Sequence, residues 1–85
     1  MSKAKIVTFD TISPEGLKVF KQISPNWAKI TETTYIAYTT RLCADLRDIL
    51  FPFCKVLCVF ELSGEDSWSS HGCSPEVNSW LHKHI

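Results

Sequence analysis

Apolar positions along this chain switch between a two-residue and a three-to-four-residue spacing, and the switches mark its elements. Residues 5–10, Lys5-Ile6-Val7-Thr8-Phe9-Asp10, carry β-branched and aromatic side chains on both faces and close on a carboxylate. That pattern predicts a central strand covered on at least one side. Ser13-Pro14-Glu15 then reads as a helix start, with Ser13 as N-cap, Pro14 at the first helical position and Glu15 favoured by the helix dipole. Leu17, Phe20 and Ile23 recur at three-residue spacing as its buried stripe, and Gly16 weakens it somewhat. Ser24-Pro25-Asn26 ends it, because proline cannot continue the hydrogen-bond ladder. Trp27–Thr31 and Thr34–Thr39 predict a hairpin turning at Glu32 and Thr33. These two are not the preferred hairpin pair, so a bulge is the alternative. Alternation sends Tyr35, Ala37 and Thr39 one way, and Ile36 and Tyr38 the other.

Residues 41–51 predict the second helix, with Leu42, Leu46, Ile49, Leu50 and Phe53 as its apolar stripe and Pro52 as its stop. Arg41 and Asp45, four apart, are placed to pair at about 0.3–0.5 kcal/mol. Residues 55–62 are the strongest strand signal in the chain, and residues 63–70 follow as a loop. Ser74-Pro75-Glu76 repeats the helix-start signature, with Val77, Trp80, Leu81 and Ile85 on one face of a final short helix. The order strand, helix, strand, strand, helix, strand is a split βαβ pair. It predicts a single-domain α+β, ferredoxin-like βαββαβ sandwich with a four-stranded antiparallel sheet and an extra C-terminal helix. Right-handed crossovers place both main helices on one face and leave the other open for a partner subunit.

Composition narrows the function classes. Hydrophobic residues make up 45% of the 85 and aromatics 12%, enough for a core and against disorder. A chain this short buries only roughly 60–65% of its unfolded surface, so dimerisation would help it. Nine Lys and Arg balance nine Asp and Glu. Tight nonspecific nucleic-acid binders carry a basic surplus, which this chain lacks. No apolar run is long enough to span a bilayer and nothing near Met1 reads as a signal peptide. The expectation is therefore a cytoplasmic protein, without membrane association, whose cysteines are reduced.

Candidate chemistry is sparse. Asp10, at the carboxyl end of the expected central strand, is the best single candidate for catalysis and for holding Mg²⁺, since hard cations take carboxylate and water oxygens. Its plain reading is a turn or helix-cap aspartate. Ser63, Gly64 and Trp68 would form a substrate-contacting loop beside it, with Gly64 admitting a close backbone and Trp68 stacking on a base. The plain reading has Gly64 making a turn and Trp68 folding onto the core. His71, Cys73, His82 and His84 offer ligand atoms but match no common zinc spacing. Cys43, Cys54 and Cys58 lie in apolar runs and read as buried thiols. Lys18, Lys21, Lys29 and Arg41 make either a modest basic patch or a solvated face.

Five stretches together resemble the SinR-like small proteins, relatives of the CRISPR-associated small adaptation endoribonuclease family. They are Phe9-Asp10; Trp27 opening one strand with Thr33-Thr34-Tyr35-Ile36 beginning the next; Leu46-Arg47-Asp48-Ile49-Leu50 with Pro52; Leu62-Ser63-Gly64 with Trp68-Ser69; and Trp80-Leu81. The resemblance implies a ferredoxin-like homodimer. In the nuclease relatives the aspartate ending the first strand meets its twin across the dimer and the two bind a divalent metal; carried over, that position is Asp10. The tail here is helical where the adaptation proteins add a strand. Two functions follow as expectations. One is a small dimeric, nucleic-acid-associated protein, at most a weak metal-dependent endonuclease or endoribonuclease. The other is a non-catalytic protein-interaction module, a scaffold or inhibitor, carried by a mobile element.

Overall fold

The computed structural model describes residues 2–62 and 72–84. Its elements run β1 (Lys3–Phe9), α1 (Pro14–Ile23), β2 (Trp27–Thr31), β3 (Thr34–Thr39), α2 (Cys43–Leu50), a 3₁₀ turn (Phe51–Phe53), β4 (Leu57–Leu62) and α3 (Pro75–His84). The strands form one sheet in the order β2-β3-β1-β4, every neighbouring pair antiparallel. This is the expected ferredoxin-like α+β arrangement with the extra C-terminal helix. Residues 10, 55 and 56, read as strand, fall in bends at the strand ends.

Local chemistry explains the elements. Ser13 caps α1 by accepting from the Gly16 N–H at 3.1 Å, and Pro14 follows at the first helical position. Gly16 does more than weaken the helix: it is buried, and a Cβ there would collide with the Phe53 side chain. The missing side chain lets the turn before β4 press against α1. The hairpin turns at Glu32 and Thr33, with an irregularity in register between Lys29 and Thr31.

Two apolar layers sandwich the sheet. On one face Val7, Phe9, Tyr35 and Ala37 pack against Phe20 of α1 and Leu46 and Leu50 of α2. Tyr35 anchors this layer, with ring neighbours Phe9, Phe20 and Trp27 at centroid distances of 6.1, 5.6 and 5.8 Å. On the other face Ala4, Ala28 and Ile36 pack against Leu81, with Val77 and Trp80 of α3 beside it. The sheet's second face is therefore not left open: α3 lies over its β2–β3–β1 part. The Trp80 indole N–H donates to Asn26 Oδ1 at 2.8 Å and pins the helix to the start of β2.

Two further expectations fail. Leu42 does not join the α2 stripe; it sits at the N-cap, 65% exposed. α2 begins only at Cys43, so Leu42 is extended and its side chain escapes the helical periodicity that would have buried it. Arg41 is drawn to a different partner from Asp45: its Nε donates to the Ile23 carbonyl at 3.4 Å, near the end of α1.

Candidate functional site

Asp10 lies at the mouth of β1, next to the bend that opens β4. The register pairs Phe9 with Leu57, and the next pair outward is Asp10 with Val56. The Asp10 N–H donates to the Val56 carbonyl at 3.3 Å, and Asp10 Oδ1 accepts from the Val56 N–H at 3.0 Å. The exposed carboxylate thus closes the β1–β4 ladder where a backbone carbonyl would otherwise serve. The Val56 N–H, then that of Thr11, holds its carboxyl below the usual aspartate range, with smaller help from the backbone of Asp10 and Lys55. Asp10 is therefore ionised at neutral pH and is a poor proton acceptor.

Beside it a shallow cleft of about 400 Å³ is lined by Thr11, Ile12, Ser13, Pro52, Phe53, Cys54 and Lys55. Cys54 is the thiol nearest this chemistry. Burial pushes its pKa up, and the Asp10 charge pushes the same way, so the thiolate is disfavoured. The corner brings together a fixed anion and a reluctant thiol. Among the described residues no three His, Cys, Asp or Glu side chains gather as a metal site.

Ser63, Gly64 and Trp68 lie outside the described residues, as does His71. His84 lies 4.7 Å from the Trp80 ring and 5.3 Å from the Tyr38 ring, tilted against both, which makes it part of the α3 packing. The basic residues are dispersed among separate partners. Lys21 lies 4.5 Å over the Trp27 ring, Lys29 pairs with Glu32 at 2.6 Å, and Arg41 binds the Ile23 carbonyl. Lys18 and Lys21 border one groove, with Pro14, Leu17 and Gln22, while Lys29 borders another beside Trp27 and Trp80. Cys58 is exposed and Cys43 and Cys54 are half-buried, so the expectation of buried thiols is corrected. Cys58 lies on β4, a strand at the sheet edge, while Cys43 opens α2 and Cys54 ends the 3₁₀ turn, so each sits at the margin of its apolar run.

The sheet's two edges differ. The β2 edge has Pro25 just before it, the register irregularity and the exposed Lys29–Glu32 pair. These are the devices by which natural sheets blunt an edge. The β4 edge has a regular six-pair register with β1 and no proline. Phe60 is 55% exposed and Val56 58%. Its one charge, Glu61, is held in cis by Lys5 and by Lys3 at 3.7 Å. The Lys5 hydrogen bond, then the charges of Lys5 and Lys3, holds the Glu61 carboxyl below its usual range. Among the described residues no strand lies beyond β4. Sequence reasoning did not single out this edge because residues 55–62 read as apolar on both faces; the signal available was that residues 57–62 hold no proline and one charge, Glu61.

No protein-family model, curated protein or solved structure matches this chain.

Proposed function

We propose that this chain is a non-catalytic interaction module of the SinR-like kind, working by binding through its sheet edge rather than by cleaving a substrate. The observation that carries this reading is the Asp10 carboxylate. One oxygen accepts the Val56 N–H and the group is held ionised by backbone donors. An exposed carboxylate that accepts backbone N–H groups closes a strand end, and with its pKa held low it is a poor group to take up a proton. The zero net charge and the scattered partners of Lys21, Lys29 and Arg41 support the same reading.

The nuclease-like reading rests on one observation, that Asp10 is exposed as well as ionised at the carboxyl end of a central strand. In that reading two copies bring two Asp10 carboxylates to one Mg²⁺, which would activate water against a phosphodiester of bound RNA or DNA. The test is incubation of wild type and Asp10→Asn with single-stranded RNA and with DNA in Mg²⁺, beside a binding assay at low salt. The binding-module reading expects no cleavage by either protein and no measurable nucleic-acid affinity. Cleavage by wild type that disappears in a folded Asp10→Asn protein would replace it with the nuclease-like reading.

A further inference from the structure

We propose that the β4 edge is an interface for a second copy of this chain, paired antiparallel about a two-fold axis at Cys58. The interaction-module reading needs an edge that accepts a partner, and this deepens it by naming the partner.

Symmetry and side-chain chemistry select the arrangement. Two copies that continue one sheet edge to edge are related by a two-fold perpendicular to it, so facing residues share a face and the axis passes through a residue. An axis at Cys58 sets Leu57 against the partner's Val59. It also sets Val56, in the bend just before β4, against the partner's Phe60, joining two exposed apolar side chains. Lys55 then faces the partner's Glu61, so opposite charges meet at both ends of the pairing. An axis at Val59 would instead place Leu57 opposite the partner's Glu61. An axis at Phe60 would bring Val59 against the partner's Glu61. Only the Cys58 axis matches apolar to apolar and charge to opposite charge throughout residues 55–61.

The second copy is favoured over an unrelated strand by this self-complementarity. Nothing opposes it electrostatically: the chain is neutral, and Glu61 is already countered by Lys3 and Lys5. Among the described residues the β2 edge carries a nearby proline and a register irregularity that the β4 edge lacks. A pairing of this length lies at the small end of specific interfaces, so it gives a concentration-dependent monomer–dimer equilibrium rather than an obligate dimer.

This dimer keeps the two Asp10 side chains apart. Three strand spacings and a four-residue offset along the strands separate them by about 20 Å, beyond the reach of one shared cation. It is therefore distinct from the metal-sharing dimer of the nuclease-like reading.

Sedimentation equilibrium of the full chain from micromolar to near-millimolar concentration tests the proposal, beside diamide oxidation. In the latter, two thiols lose their hydrogens to diamide and join. Facing Cys58 residues would have Cα atoms about 4.5–5.5 Å apart, within disulfide range. The expected results are a reversible dimer, a dissociation constant raised at least tenfold by Phe60→Glu and raised by Lys55→Glu, and a covalent dimer that Cys58→Ser abolishes. Both Phe60 and Cys58 are exposed, so these variants keep the fold, which circular dichroism verifies. A monomer at every concentration overturns the proposal, as does a dimer indifferent to Phe60→Glu or a covalent dimer that survives Cys58→Ser. A monomer leaves the cleavage question to the Asp10→Asn assay, so the two readings fail separately.

Discussion

Asp10 commits one carboxylate oxygen to the Val56 N–H, and that bond ties its charge to the stability of the β1–β4 corner. Its folded pKa lies below the usual value, so the ionised form is the one the fold prefers. The stabilisation is present in full above the unfolded pKa and is lost as pH falls through the folded one. Glu61, held low by Lys5 and Lys3, adds to the same limb with the same sign. Stability measured by urea unfolding from about pH 7 to pH 2.5 should fall below about pH 4, and Asp10→Asn should flatten part of that fall. An acid limb identical in the two proteins would show that the Val56 bond does not favour the charged form. The position of Asp10 was legible from the Phe9-Asp10 ending. Its partner was not, because Val56 is 46 residues away and meets it only once β4 has paired with β1.

Two leucines show how far helical spacing can be trusted. Leu42 and Leu81 both sit on apolar stripes in the sequence. Yet Leu42 is 65% exposed at a helix N-cap, while Leu81 is 4% exposed between α3 and the sheet. Truncating Leu81 to Ala should therefore cost about 2–4 kcal/mol by leaving a cavity over Ala4, Ala28 and Ile36. Leu42→Ala should change stability by less than about 0.5 kcal/mol. Chemical denaturation of both variants checks the contrast, and equal losses would mean that α3 is not a structural layer. The existence of α3 follows from Ser74-Pro75-Glu76 and the Val77, Trp80, Leu81 face. That it closes the second face of the sheet follows only from where its apolar stripe finds a complementary surface, fixed further by the Trp80–Asn26 bond.

At the scale of the molecule, the described residues give the sheet a β2 edge with an irregular register and a β4 edge with a regular one. A small domain that binds its own copy through native β4 gains stability by mass action. The thermal midpoint of the wild type should therefore rise with protein concentration, and that of Phe60→Glu should stay flat over the same range. Differential scanning calorimetry at a low and a high concentration measures this; a wild-type midpoint independent of concentration would argue for a monomer. No helix among the described residues is long and apolar enough to cross a membrane.

By itself the sequence determined the order and kind of the elements, since period, caps and prolines act within a few residues. The same local signals determined the faces of β3, where Tyr35 and Ala37 point to one layer and Ile36 and Tyr38 to the other. Only the tertiary structure decided which face α3 closes, that Gly16 admits Phe53, that Val56 occupies Asp10, and that among the described residues β4 is an edge strand of regular register. Each of these depends on contacts between residues far apart in the chain, and a one-dimensional pattern states a residue's preference for burial without stating what will bury it.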